Sequence, residues 1–406
     1  MPASPKTRLL LRNDEAWPTG HDATLVVVFL RGGADTLSLL PPYGDDRYFQ
    51  SRPTLAVPPP GRGNRSAIRL DDHYGLHPDM AALEPAYRDG RLAFVQAVGI
   101  DNTSGSHFEC QDQMEHGSSP TTAPVSGGWL GRFLRTIDGD QLGPLPAVAI
   151  GKSLPESLRG GPASVLERLD EVAVQGSATD LPLITQTLAS LYGAEQNPLG
   201  RQGLQTLDLF RRVASLPPTT ATTRRTATYP DNTFAAGLRQ IAELIRAGIG
   251  LRVACLDLPG WDTHFFQGAT DGQQAALVDR LAKGLAAFET DMSSCRQRVT
   301  VLVTTEFGRR VYENASQGTD HGRGFAAMLL GNSVAGGQVY GHWPLEEIAD
   351  PTPSGPGGLG IERDARALFA EVLQHVFAAD KAALHQVFPG LKSQQTGLFR
   401  SSPSKS

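Results

Sequence analysis

Short runs of β-branched and apolar residues alternate along this chain with stretches that have the apolar spacing of an amphipathic helix. The run Thr24–Leu30 (TLVVVFL) contains almost no polar residue, which is typical of a strand buried on both faces of a parallel sheet. Leu92–Val98 and Val299–Thr304 have the same character, whereas Gln273–Met292 has helical spacing. The alternation predicts an α/β fold: a largely parallel central sheet with helices on both faces and long loop insertions.

The length of 406 residues fits one large domain with insertions, or two domains. We predict an N-terminal extension over 1–23 and a main domain over 24–391, with an insertion at roughly 118–230. The residues 392–406 are predicted to be a disordered tail. Residues 41–66, rich in Pro, Arg and Gly, are predicted to form a long loop.

The composition excludes several classes of protein. The formal net charge of −5 gives no basic excess for binding nucleic acid or an anionic membrane. No apolar run reaches the roughly 18 residues of a membrane span. Cys110, Cys255 and Cys295 have no paired spacing, so we expect buried thiols. The N-terminus shows no secretion or twin-arginine signal, which predicts a cytoplasmic location unless a leader is missing.

Polar residues cluster directly after the predicted strands. Because ligands gather at the carboxyl edge of an open α/β sheet, we expect these side chains to meet there. The clusters are Asp35; Ser104, Ser106 and His107; Asp262 and His264; and Glu306 and Arg309. Asp, Glu and His together suit Zn²⁺, Mn²⁺ or a similar divalent ion, and two such ions could stabilise both oxygens of a phosphoryl-like transfer.

Each candidate also has a purely structural interpretation. These are a turn cap for Asp35, a capping box with Glu109 for Ser106, an Asx-turn for Asp262 and His264, an ion pair for Glu306 with Arg309, and a core position for His107. Asp320-His321-Gly322 favours a ligand, since a loop histidine beside glycines packs little. P-loop, H-E-x-x-H and G-x-S-x-G patterns are absent from the sequence, and no G-x-G-x-x-G follows a predicted strand, so nucleotide binding and serine-esterase chemistry lose their usual support.

Seven segments, in this order, resemble a bacterial family of domains of unknown function numbered fifteen-oh-one. They are FLRGGADTLSLLPPY, LHPDMAALEPAYRDGRLAFVQAVG, SHFECQDQME, GGWLGR, PGWDTH, TTEFGRRVYENASQGTDHG and GGQVYGHWP. The resemblance extends from about Leu25 to Leu391. That family is placed in the alkaline phosphatase-like superfamily with the sulfatases, and many members carry a twin-arginine signal. The resemblance implies an alkaline phosphatase-like fold, and a periplasmic or exported location if a leader is missing.

The superfamily order of site residues implies roles for positions in this chain. Carried over by position, Asp35 is the first metal ligand, Ser106 the nucleophile with Ser104 and Thr36 as rivals, Asp262 and His264 the next ligand pair, Glu306 a later ligand, and His321 with Asp320 the last. Phe307 departs from the pattern, because it occupies the place of the histidine that should accompany Glu306. Arg309 or His107 could replace that histidine. The resemblance therefore leaves open whether the chain binds one metal ion, two or none.

These residues lead to hypotheses from different classes. The first is a metal-dependent hydrolase or transferase that acts on small phosphate or sulfate esters, with Ser106, His107 and Arg309 in catalytic roles. The second is a catalytically degenerate member that binds an anionic ligand or a partner protein. A structural or assembly protein is the third. None of them requires nucleic acid or a membrane, and the sequence predicts no oligomeric state.

Overall fold

A computed structural model of the chain describes residues 23–102, 104–118, 125–169, 177, 180–195, 197–214, 227–343, 358–392 and 396–400. Residues 1–22 of the predicted N-terminal extension and 401–406 of the predicted tail lie outside the described residues. Within the described ranges, every helix is too short or too polar to cross a membrane.

The strands form one nine-stranded sheet and one small hairpin. They are β1 Thr24–Arg31, β2 Ile68–Arg69, β3 Gly75–Leu76, β4 Leu92–Gly99, β5 Ala147–Ile150, β6 Ser164–Leu166, β7 Val253–Pro259, β8 Val299–Thr305, β9 Phe325–Gly331, β10 Val339–Tyr340 and β11 Arg363–Asp364. The order in the sheet is β10-β4-β9-β8-β1-β7-β5-β6, with β11 paired to the end of β4, while β2 and β3 form the hairpin.

The sheet is largely parallel, as the sequence predicts. β1 pairs in parallel with both β7 and β8, so that Val26 lies opposite Ala254 and Val301. Among the described pairings of this sheet, only those of β9 with β4 and β8 are antiparallel. The carboxyl ends of β1, β4, β7 and β8 therefore meet at one edge of the sheet, and the loop that enters β9 arrives at the same edge.

Helices cover both faces of the sheet. They are α1 Thr36–Leu39, α2 Asp46–Ser51, α3 Glu84–Arg88, α4 His107–His116, α5 Trp129–Thr136, α6 Leu181–Ala194, α7 Pro198–Ala214, α8 Thr233–Arg246, α9 Gly272–Asp291, α10 Ala365–Phe377 and α11 Lys381–Val387. Val26 and Val28 of β1 belong to one core cluster, with residues of α8 and α9, and Val27 belongs to another, with residues of α5 and α10. The α/β prediction, with a strand buried on both faces, is confirmed.

Two predictions about segments need correction. The predicted loop 41–66 contains α2, whose N-cap Asp45 accepts a hydrogen bond from the Arg47 N–H at 3.0 Å. β5 and β6, which lie within the predicted insertion 118–230, extend the main sheet. Disorder from 392 onward is wrong for residues 396–400, because Leu398 is fully buried and its N–H donates to Glu371. The three cysteines are buried and unpaired, as predicted.

Candidate metal centre

Loops at the carboxyl edge of the sheet bring most of the predicted site residues together. His107 opens α4 after β4, Asp262 and His264 follow β7, and Glu306 and Arg309 follow β8. Asp320 and His321 lie in the loop that enters β9, and an isolated bridge joins His321 to Arg309. The antiparallel direction of β9 is what delivers His321 to this edge.

One carboxylate oxygen lies at the centre of three imidazoles. The Asp262 Oδ1 atom is 3.4 Å from His107 Nε2, 3.1 Å from His264 Nε2 and 3.4 Å from His321 Nε2. The two nitrogens His264 Nε2 and His321 Nε2 are 2.9 Å apart. The structure thus gathers three ring nitrogens and one carboxylate oxygen into a single cluster, which we call the His3Asp cluster.

The other nitrogen of each ring is held by an acceptor. His107 Nδ1 lies 2.9 Å from Glu306 Oε1, and His264 Nδ1 lies 3.0 Å from Asp320 Oδ1. His321 Nδ1 lies 2.7 Å from the carbonyl oxygen of Gly105. A carbonyl oxygen can only accept, so His321 Nδ1 carries the proton and its Nε2 presents a lone pair whenever the ring is neutral. The two carboxylates orient the other rings in the same way.

The environment of Asp262 keeps it ionised. Burial alone would raise its pKa, but the hydrogen bond and charge of Arg309, 2.6 Å away at Nη2, lower it below the ordinary value. Arg309 is itself buried and also donates to the carbonyl oxygens of Gly32, Gly33 and Thr319. Its donors are therefore committed to the protein, and it acts by holding Asp262 in place.

Glu306 holds His107 in place and accepts several hydrogen bonds. Its Oε1 atom accepts from the Gly32 N–H and from Gln111 Nε2, each at 2.9 Å, in addition to His107. Burial raises the pKa of Glu306, yet the hydrogen bonds from His107 and Gln111 help to bring it below the ordinary value. In return, the hydrogen bond to Glu306 raises the pKa of His107. His321 differs, because burial lowers its pKa and favours the neutral ring.

The Gly32-Gly33 turn lets β1 approach these loops closely. Gly32 has φ +119°, and a Cβ at this position would lie 2.5 Å from the Asp262 backbone nitrogen. Gly33 has φ +65°, and its Cβ would lie 2.3 Å from the Phe307 ring. Glycine alone tolerates both the backbone conformation and the contact. The two glycines are thus required for the approach of Asp262 and Phe307 to the end of β1.

Phe307 packs beneath the histidines. Its ring centroid is 5.0 Å from that of His107 and 4.7 Å from that of His321, and the residue is 4% exposed. An apolar ring therefore fills the space beside Glu306 where the resemblance implies a histidine. It supports the two imidazoles by contact and offers no atom to a metal.

Asp35 lies apart from the His3Asp cluster in its contacts. Its carboxylate is fully buried and pairs with Arg52, whose Nη1 and Nη2 donate at 2.6 Å and 2.9 Å. Ser38 and Gln267 also donate to it, at 2.6 Å and 2.7 Å. Burial would raise the pKa of Asp35, but the charge of Arg52 outweighs this and lowers it. Every contact described for this carboxylate is thus a protein donor, and its predicted role as a metal ligand stays a prediction.

Of the serines and threonines predicted as nucleophiles, Ser106 has the position closest to the cluster in the chain. It is the N-cap of α4, between His107 and Gly105, and its side chain makes no capping hydrogen bond. The capping-box interpretation is therefore wrong. Ser104 Oγ accepts from the Ser106 N–H at 3.2 Å. Thr36 is 3% exposed, and its Oγ1 accepts a hydrogen bond from the Ala326 N–H in the interior of the fold.

The His3Asp cluster has the chemistry of a divalent metal site. Two acceptor nitrogens at 2.9 Å are favourable only when a proton or a metal cation lies with them. His107 Nε2 is buried with no hydrogen-bond partner, and the ligand atoms of His107, Asp262 and His321 all lie within 4.8 Å of one another. Imidazole and carboxylate donors with carboxylates behind the histidines suit Zn²⁺. The residues present therefore fit a bound metal.

Several contributors to this centre were not predicted from the sequence. Gln111 and Asn314 are the clearest: Gln111 donates to Glu306, and Asn314 holds Asp320 by a hydrogen bond of 2.9 Å. Glu306 and Asp320, predicted as metal ligands, contact the far nitrogens of His107 and His264 rather than the centre of the cluster. A sequence signal existed only for Gln111, which lies one helical turn after His107 on α4.

Comparison with solved structures gives distant similarity over most of the chain. The chain is similar to Ps i-CgsB in complex with k-i-k-neocarrahexaose (9% identity, TM-score 0.39, covering 90% of this chain and 74% of that one). It is also similar to the C-terminal periplasmic domain of EptC from Escherichia coli (11%, 0.38, 92% and 88%). A third is alkaline phosphatase from the Antarctic bacterium TAB5 (8%, 0.32, 78% and 94%).

Similarity at this level says nothing about what the chain binds. No curated protein matches the sequence. A family profile described as "Protein of unknown function (DUF1501)" matches residues 22–351, which is most of the chain, and this match confirms the family indicated by the seven segments. The chain belongs to the DUF1501 family.

Proposed function

We propose that the chain binds one divalent metal ion, of the zinc type, at the His3Asp cluster and acts there on phosphate or sulfate esters. The observation that carries the proposal is the orientation of the three histidines. Each Nδ1 is occupied by an acceptor, and each Nε2 faces Asp262 Oδ1. Histidines oriented by carboxylates and carbonyls in this way are typical of metal ligands.

Three features favour one ion over two. Glu306 and Asp320 are engaged by the histidines that they orient. Phe307 fills the space beside Glu306 with a ring that cannot bind a cation. Asp35 already has a full positive partner in Arg52. A second cation would have to displace these contacts.

The residues present suit an anionic ester. A bound divalent ion would supply a Lewis acid that draws charge from an oxygen of the ester. Ser106 would supply the attacking oxygen, because its hydroxyl is not used as a cap and α4 directs the positive end of its dipole toward this end. The serine oxygen bonds to phosphorus or sulfur as the alcohol oxygen leaves. The serine proton passes to solvent, the departing alcohol takes one up, and water later releases the phosphate or sulfate.

Elemental analysis of the purified full-length chain tests the metal. We expect close to one ion per chain, of the zinc type. His264→Ala should lower that content severely, whereas His342→Ala should leave it unchanged, since His342 has a side chain 89% exposed and outside the cluster. Metal-free protein whose thermal unfolding is indifferent to chelator would overturn the proposal.

Turnover separates the enzyme from a degenerate binding protein. With generic phosphate and sulfate esters, Ser106→Ala should abolish turnover and keep the metal, while Ser104→Ala should retain turnover. If the metal-loaded chain binds such anions but never turns them over, the binding function replaces the catalytic one. The specific observation behind that second function is that Arg309 is buried and donates to carbonyl oxygens and to Asp262 within the fold.

A further inference from the structure

Three phenylalanines beside the His3Asp cluster are turned toward solvent. Phe108 follows the ligand His107 and is 87% exposed. Phe265 and Phe266 follow the ligand His264 and are 67% and 76% exposed, and the Phe265 ring centroid lies 6.3 Å from that of His264. We call these three residues the phenylalanine rim. Each of them lies one or two positions after a histidine of the cluster, and exposed large apolar groups beside a polar site often mark a binding site.

The backbone at Phe266 carries strain. Its φ is +44°, a conformation that a bulky L-residue rarely adopts. The segment is held there by backbone hydrogen bonds from Phe266 to Ser316 and from Gln267 to Gln317, at 3.0 Å and 2.9 Å. Gln317 itself has φ +56°. Hydrogen bonds at two strained residues thus join the loop that carries His264 to the loop that carries His321.

The fold gains little from a phenylalanine at this strained position. Phe266 as a residue is 76% exposed, so its ring contributes little apolar burial to offset the strain. Glycine or asparagine would meet the same backbone requirement at lower cost. Local strain that folding does not repay is a feature of functional sites. The ring at 266 therefore has its use at the surface, next to the ligand His264.

The surroundings of the cluster favour an apolar ligand group over a charged one. The Arg309 guanidinium is 1% exposed and bonded to carbonyl oxygens and to Asp262, and the Arg310 guanidinium donates to the His321 carbonyl oxygen and to Tyr312. The cluster can thus hold the anionic part of a ligand through a metal, while the phenylalanine rim offers only ring faces and edges. Such surfaces bind flat or extended apolar groups.

We propose that the phenylalanine rim binds the organic group of the substrate, and that the substrates are phosphate or sulfate esters of apolar alcohols, such as aryl or long-chain alkyl esters. This inference rests on the proposed function, because it takes the ester to be bound at the His3Asp cluster. The rim residues are specificity-determining: they contact the alcohol part and leave the reacting atoms to the cluster.

Binding of two phosphonates to the zinc-loaded full-length chain tests this without turnover. Phenylphosphonate and methylphosphonate share the anionic group and differ in the apolar one. We expect phenylphosphonate to bind about tenfold tighter or more, the ratio expected when roughly half of a phenyl ring leaves water. Phe265→Ala and Phe266→Ala should reduce that preference to about twofold and leave methylphosphonate affinity unchanged. Leu191→Ala, on α6 and 61% exposed, is the matched control and should keep the preference.

Phe266→Gly separates recognition from folding. Because glycine relieves the positive φ, we expect thermal stability to hold or rise while the preference for phenylphosphonate falls. A clear loss of stability with the preference intact would show that the ring is structural, and the inference would be wrong.

The remaining outcomes are also decisive. Equal affinity for both phosphonates, in protein that binds zinc, refutes the rim's role and leaves the metal proposal standing. Failure to bind zinc at all refutes the proposed function itself. Zinc-independent adsorption of the chain to uncharged phosphatidylcholine vesicles, lost in Phe265→Ala, would instead make the rim a membrane-contacting surface and overturn the inference.

Discussion

Replacing Arg52 by methionine should destabilise the fold without lowering the metal content proposed for the His3Asp cluster. The Arg52 guanidinium is fully buried and forms two hydrogen bonds to Asp35, and others to the carbonyl oxygens of Val311 and Arg310. Methionine preserves much of the side-chain volume but none of these donors. The carboxylate of Asp35 is then left buried with only Ser38 and Gln267 as partners.

The expected loss in free energy of unfolding is about 3–5 kcal/mol, the usual cost of removing one partner of a buried ion pair. The two carbonyl oxygens add to the cost, by roughly 1 kcal/mol or more each. Protonation of Asp35 limits this loss in free energy of unfolding. Without Arg52, burial raises the pKa of Asp35 and lets the carboxyl group bind a proton. The double variant Asp35→Leu with Arg52→Met should therefore be less destabilised than Arg52→Met alone.

The cost should depend on pH in a defined direction. In the intact pair burial opposes ionisation of Asp35, but Arg52 lowers its pKa below the unfolded value of about 3.9. The pair's contribution is then present above that unfolded value and is lost as the pH falls through the folded pKa. The difference in stability between the natural chain and Arg52→Met should narrow in acid.

Urea unfolding at neutral pH and near pH 3, below the unfolded pKa of Asp35, with zinc content measured on the neutral samples, checks each expectation. Arg47→Met is the control within α2: its ion pair with Asp45 at 2.9 Å is partly exposed, so the cost should stay below about 1 kcal/mol. A cost for Arg52→Met no greater than for Arg47→Met would refute the reasoning. If the Asp35→Asn variant is folded but no longer binds zinc, Asp35 is a metal ligand as the sequence predicted.

Three further changes test the residues around the cluster. Glu306→Gln and Asp320→Asn should each weaken zinc binding by about 10–100-fold in chelator competition, because each removes the charged partner of a ligand histidine; unchanged affinity would contradict this. Gly33→Ala should cost about 1–3 kcal/mol in urea unfolding, since its Cβ would meet the Phe307 ring at φ +65°; a neutral result would mean that the ring moves freely. Arg309→Lys should lower both stability and zinc affinity measurably, because a lysine cannot serve three carbonyl oxygens and a carboxylate at once.

The sheet was predictable because its strands have an unambiguous pattern. Thr24–Leu30 lies within β1, and Val299–Thr304 lies within β8. Short runs of β-branched apolar residues are typical of strands that are buried on both faces. The two-residue strands β10 and β11 were missed, because two residues show no periodicity. The helix α2 was missed although Asp45 is a typical N-cap, because the prolines around it dominate the composition.

The cluster was only partly predictable, because proximity at a sheet edge does not fix the direction of a side chain. Asp35 follows β1 as predicted, yet its carboxylate meets Arg52, a residue within the segment predicted as a loop. His107 was predicted as catalytic, whereas its Nε2 faces Asp262 together with the other two rings. These roles depend on which nitrogen of a ring has a partner, and sequence spacing carries no information about that.

The four proposed metal ligands are spread widely along the chain, and this has a consequence for the order of folding and metal binding. Gly105, which orients His321, lies 216 residues before it, and the donors come from three loops at the ends of different strands. No contiguous proteolytic fragment shorter than His107 to His321 can contain all four. A nascent or nicked chain should consequently retain zinc poorly, and acquisition of the ion should follow, rather than nucleate, closure of the sheet.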